Sequence, residues 1–140
     1  ISRIALNPHN VAFVRDAMVD VNVTGTARAA FVGVPYRVAG KTGTAQVVGI
    51  AQNEKYDERR IEERHRDHSL YIAFAPADPG SAPKIALALL VENGGWGAMA
   101  AAPIARQVTD YYLLGKLPPP SAAEPRPRAP VLARAPGPTP

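Results

Sequence analysis

Two short apolar runs, Leu70 to Pro76 (LYIAFAP) and Ile85 to Val91 (IALALLV), bracket the connection ADPGSAP. Runs this short, bounded by Pro and Gly, read as strands rather than helices. Asp-Pro-Gly between them sets up a reversal: Pro fixes φ, Gly takes positive φ without steric cost, and Asp bonds its own backbone. An antiparallel hairpin therefore anchors any fold for this chain. Both runs are apolar at nearly every position, which predicts cover on both faces of the sheet by helices.

The flanking elements follow from that hairpin. Asn7-Pro8 supplies an N-cap and a first-turn proline. Val11, Val14, Met18 and Val21 then recur at helical spacing, with Gly25 as the stop. Residues 36–48 are β-rich but interrupted by Gly40 and Gly43, and interior strand glycines mark close approach of a ligand or backbone. Glu54 to Asp67 is almost wholly charged and suits a solvated helix or ordered loop. Pro103 suits the first turn of a last helix running to about Leu114 and ending at Gly115, with one ring of the Tyr111-Tyr112 pair buried. Helix, strand, hairpin, helix is an α+β order, an antiparallel β-sheet with helices packed on it.

Residues 1–117 form the folding unit. Residues 118–140 hold nine prolines in twenty-three positions, and a chain so short of N–H donors builds neither helix nor sheet interior. They are expected to be a disordered Pro/Ala/Arg-rich tail. The first residue is Ile1, and helical patterning starts within ten residues of it, which points to a start partway through a longer protein. There is no Cys, hence no disulfide or thiolate framework. Half of the net charge of +4 sits in the tail, and the body has no dense basic face, so nucleic acid is not an expected partner. No apolar run approaches the about 20 residues that span a bilayer, and no signal peptide is present.

The chemistry concentrates in Arg37 to Gly49 (RVAGKTGTAQVVG). A phosphate-binding loop needs a glycine five residues before Gly40, where this chain has Pro35, and a helix after the lysine, where it continues with β-formers. An acyl-transfer wall accounts for each position instead. On an edge strand, Lys41 and Gly43 point one way and Thr42 and Thr44 the other. A main-chain N–H there serves a developing oxyanion. Gly43 admits a substrate backbone laid down as an added strand. The threonine hydroxyls bind a carboxylate.

The segments VAGKTGTAQV, ERHRDHSLYIAFAP and VENGGWGAMAAAPIARQV together resemble the C-terminal part of the transpeptidase domain in elongation-specific class B penicillin-binding proteins, over roughly Asn7 to Leu117. The family's motif set is S-x-x-K, S-x-N and K-T/S-G. The resemblance implies a peptidoglycan D,D-transpeptidase that cross-links stem peptides through a serine acyl-enzyme and is trapped by β-lactams, with no cofactor. It assigns Lys41 to the site's potential and proton relay, and Thr42 and Thr44 to the substrate carboxylate. Thr44 N–H becomes half of the oxyanion hole, and Gly43 leaves room for the acyl group. It further implies a bacterial inner-membrane protein with its catalytic domain in the periplasm, an anchor outside this chain, and a membrane glycosyltransferase partner.

Half of that site is missing here. Ser/Thr-x-Asn is absent, and the single Ser-x-x-Lys, Ser81 to Lys84 (SAPK), sits in the hairpin turn, where Gly80 and Pro83 oppose the helix a nucleophile serine needs. The nucleophile must come from the remainder of the same polypeptide, and this chain alone is expected not to be acylated. A D,D-carboxypeptidase or serine β-lactamase shares the fold and differs in sending the acyl group to water. A β-lactam-sensing or inactive binding domain would use the same wall without turnover. Among other residues, His65 and His68 have metal-compatible spacing with Glu62, but no third ligand is evident and no metal is expected. His68 suits a local hydrogen bond at the strand start. Trp96, between glycines, fits either a substrate contact or a packing anchor for the last helix.

Overall fold

The computed structural model describes residues 4–49 and 61–116. Helix α1 (Pro8–Val23) starts where the Asn7 side chain accepts the His9 N–H at 2.9 Å. A short α2 (Arg28–Phe31) follows. Strands β1 (Ala39–Ala45), β2 (His68–Ala75) and β3 (Ile85–Val91) lead to α3 (Ala101–Leu114). The sheet order is β1-β2-β3, antiparallel throughout, so β1 is an edge strand. The hairpin closes with Lys84 N–H donating to Ala75 O at 2.8 Å. Helix α3 stops at Gly115, whose φ of 66° is the left-handed cap that only glycine adopts freely.

The core lies between one sheet face and the helices. Tyr71, Ala73 and Ala75 of β2 pack with Phe31, Val38, and Ala101, Ala102 and Ala105 of α3. Alanines on the sheet-facing side of α3 let it lie close to the strands. The Phe31 and Tyr71 rings stack with centroids 5.7 Å apart. Helix α1 lies against β1, where Val19 and Met18 meet Ala39 and Phe74.

Three expectations are corrected. The face of the sheet away from α3 is covered only in part among the described residues: Val19 and Met18 of α1 meet Ala39 and Phe74 on it, while Ile72 and Leu90 are 52% and 57% exposed although their apolar sequence invites cover. In α1 the buried residues are Val19 and Asn22, while Val11 and Val14 stay exposed, because only the C-terminal half of the helix reaches the sheet. Helix α3 begins at Ala101 and has Pro103 in its first turn, as expected; the Ser69 hydroxyl accepts the Ala101 N–H at 3.0 Å and supplies the cap. Both Tyr111 and Tyr112 are exposed. In the charged segment, residues 50–60 lie outside the described residues. The described part holds a single 3-10 turn (Glu63–His65), and Glu62 pairs with Arg64 rather than one helical turn away. The tail, residues 118–140, also lies outside them.

Candidate active site

Strand β1 carries Lys41 to Thr44 in extended form, as the alternation requires. The register sets Lys41 opposite Ile72 and Gly43 opposite Leu70, on the open face. Thr42 stands opposite Tyr71 and Thr44 opposite Ser69, on the α3 face. Among the described residues β1 is an edge strand, which leaves every second main-chain N–H and C=O without a strand partner on its outer side.

A groove of about 280 Å³ runs beside this edge. Its lining brings together Thr42, Gly43 and Thr44 with Thr26, Trp96, Gly97 and Ala98. Lys41 is not part of this lining: it is exposed, and its Nζ donates to Thr42 O at 2.7 Å. The groove is thus a hydroxyl-rich slot beside a strand edge, with one cation on the far side of the strand. A larger cavity, about 520 Å³, is bounded by α1, α2 and the loop before β1, with Arg28, Arg37 and Asp78 at its wall. It shares no residue with Lys41 to Thr44.

The wall is fixed from behind. Tyr71 is fully buried and donates to Asn22 Oδ1 at 2.6 Å, and Asn22 Nδ2 donates to Val38 O at 2.7 Å. This chain of bonds ties α1 to the residue just before β1. Gly40 is required there, because a Cβ would occupy the space of the Tyr71 hydroxyl. Burial pushes the Tyr71 phenol well above its ordinary pKa, so it remains a neutral donor. Ser69, also without exposure, donates to Trp96 O at 3.1 Å while capping α3, and so fixes the groove's far rim. Gly97 backs directly onto the main chain of Gly43 and Leu70, where a Cβ would strike both carbonyl oxygens.

Two outer supports complete the frame. The Tyr36 hydroxyl bonds Asp110 and, at 3.0 Å, Thr109 of α3. Arg106 Nε donates to Asp110 Oδ2 at 2.5 Å, and its Nη1 donates to Ala30 O and Val32 O. Burial, then the Asp110 carboxylate, push the Tyr36 phenol up to about 12. At the other end of β1, the Asp67 carboxylate accepts the Val47 N–H at 3.3 Å.

The remaining sequence candidates find plain settings. Ser81 follows the Pro79-Gly80 turn, exposed, with its N–H donating to Asp78 O at 3.1 Å; it lies on no helix. His68 accepts the Asn93 N–H at 3.0 Å, a hydrogen bond as anticipated but with a residue just past β3 rather than a sequence neighbour. The Trp96 ring is 66% exposed over the groove, while its carbonyl is the anchored atom. Sequence reasoning singled out Trp96 as a candidate contact and missed Thr26, Ser69, Asn22, Gly97 and Ala98.

Residues 2–110 match the model of the penicillin-binding protein transpeptidase domain. A peptidoglycan D,D-transpeptidase MrdA of Acinetobacter baumannii is 50% identical over 101 residues, 71% of this chain and 14% of that protein. The PBP2 of Pseudomonas aeruginosa, solved in complex with WCK 5153, is 39% identical. It superposes with a TM-score of 0.63 over 86% of this chain and 23% of that one. A PBP2 of Helicobacter pylori, solved in complex with MreC, is 30% identical, with a TM-score of 0.59 over 79% of this chain and 19% of that one. The chain spans about 14% of the length of the first curated relatives it matches.

Proposed function

The chain belongs to the penicillin-binding protein transpeptidase family, and from that premise we propose that it forms one wall of the acyl-transfer site of a peptidoglycan D,D-transpeptidase acting in cell elongation. The observation that carries this reading is the groove along the free edge of β1, where Thr42 and Thr44 share one face and Gly43 contributes bare main chain.

The proposed reaction has two halves. A serine Oγ, from a part of the polypeptide outside these 140 residues, attacks the penultimate D-Ala carbonyl of a stem peptide. The carbonyl oxygen becomes an oxyanion and takes a hydrogen bond from Thr44 N–H; removing such a donor costs about 100- to 1,000-fold in rate. The C–N bond breaks and D-Ala departs with the proton. An amine of a second stem peptide then attacks the acyl-enzyme and regenerates the serine. The Thr42 and Thr44 hydroxyls hold the terminal carboxylate of the donor peptide or of a β-lactam. Lys41 stabilises negative charge and assists proton movement from the open face, where the serine is expected to arrive.

Localisation follows as part of the same reading: an inner-membrane anchor elsewhere in the polypeptide and a catalytic domain in the periplasm. Among the described residues no helix is long and apolar enough to cross a membrane. A membrane glycosyltransferase of the elongation machinery is the proposed partner; the MreC complex of the Helicobacter pylori relative is consistent with work inside a larger assembly.

Labelling the intact protein with a fluorescent penicillin tests the proposal. A stable label, with cross-linking of model glycan strands, is the expected result. Rapid loss of label indicates a carboxypeptidase or β-lactamase. A stable label without cross-linking indicates a binding domain.

A further inference from the structure

The turn between α1 and α2 carries a hydroxyl that the Lys-Thr-Gly-Thr motif does not include. Thr26 Oγ1 lies 2.8 Å from Thr42 Oγ1, and Thr26 lines the same groove. Its place is set by the main chain around it. Gly25 lies so close to α1 that a Cβ would come within 2.8 Å of Val21 Cα. The N–H groups of Gly25 and Ala27 donate to Asp20 O and Val21 O at 2.8 and 3.0 Å. Ala27 is buried in the core. Thr26 is therefore held between two fixed neighbours with its side chain turned to the groove.

Proton counting gives this contact a consequence. Each hydroxyl has one proton to donate and can accept through its lone pairs. A carboxylate only accepts. The bond between Thr26 and Thr42 uses one of the two protons, which leaves one for the anion. Either hydroxyl can be the donor; when it is Thr26, the remaining proton is Thr42's, in the groove that Thr44 also lines. Chained hydrogen bonds of this kind also polarise one another. Building on the carboxylate role proposed above for Thr42, we infer that Thr26 is a positioning and specificity residue. Its donated hydrogen bond turns the Thr42 hydroxyl toward the ligand's carboxylate and makes the site prefer a free carboxylate over an esterified one.

The test uses the full-length protein with benzylpenicillin and its methyl ester, and reads the second-order acylation constant of each. Thr26→Val keeps the shape and removes the proton. The acid-to-ester ratio is expected to fall about fivefold, the scale of one net hydrogen bond. The loss falls on binding rather than on the saturated acylation rate, and Thr26→Ser restores the ratio. Thermal melting checks the fold, and Thr26→Ala replaces the valine variant should that one unfold. Thr42→Val separates the two layers. An unchanged ratio in Thr26→Val beside a collapsed ratio in Thr42→Val overturns the role of Thr26 and leaves the Thr42 reading standing. An unchanged ratio in Thr42→Val removes the carboxylate reading and the inference with it.

Discussion

On the α3 side of the sheet, Ser69, Tyr71 and Ala75 have no solvent exposure; on the other side, Ile72 and Leu90 are more than half exposed, and Lys41 shares their face. Adjacent residues of one strand thus live in opposite settings. The closed face spends its polar groups on internal bonds: Tyr71 to Asn22, Asn22 to Val38, Ser69 to Trp96 and Ala101. The open face has a cation, Lys41, whose ammonium donates to the carbonyl of the next residue. Internal bonding and the proposed chemistry of Lys41 thus fall on opposite faces of a single sheet, with the strand edge and its threonines at the boundary.

Truncating the closed face should break that division most severely. Tyr71→Ala empties a fully buried ring site and strands the Asn22 carbonyl, and is expected to cost about 3–5 kcal/mol, read from denaturant unfolding. A cost below about 1 kcal/mol would mean that the closed face is not where the fold is held. Lys41→Ala addresses the other side. It should leave the melting temperature within a few degrees of the parent while slowing penicillin acylation of the full-length protein roughly 100-fold, the scale of a lost electrostatic contact in a site. A near-normal acylation rate would remove Lys41 from the chemistry.

The same comparison sorts what the sequence disclosed. The hairpin was legible because Asp-Pro-Gly and two seven-residue apolar runs are local signals. The β1 segment was legible because its glycines and threonines make sense only on a strand edge. Cover on both faces was expected from the apolar pattern alone, but α1 reaches only the Ala39–Phe74 end of the second face, and Ile72 and Leu90 stay more than half exposed. Asn22, Ser69 and Thr26 escaped notice for a common reason: each acts across 16 or more residues, on Val38, on Trp96 and Ala101, and on Thr42. A lone Asn in a helix or Ser in a strand carries no local mark of such a role.

Two smaller effects sharpen the contrast. Tyr36 belongs to the frame around the closed face, and its phenol titrates near 12 rather than 10. The folded state thus holds that proton more tightly than the unfolded chain. Its contribution is complete below pH 10 and is lost as pH rises toward 12. Tyr36→Phe should therefore flatten part of the fall in urea midpoint between pH 10 and 12; an unchanged slope would show that burial and the Asp110 contact do not raise this phenol in the folded state. The smallest effect is expected at the open face. Ile72→Ala in the 140-residue chain should shift stability by no more than about 0.5 kcal/mol. A markedly larger loss from the same substitution in the full-length protein would show that this face is covered there.

The meeting of Gly97 with the carbonyls of Gly43 and Leu70 carries a consequence for inheritance. No side chain of any size enters that seam without prising the strand from its rim. Selection acting on the groove, including selection by an inhibitor, finds its floor closed to variation. Heritable changes in its contour are steered to the positions that project side chains into it, Thr26, Thr42, Thr44, Trp96 and Ala98.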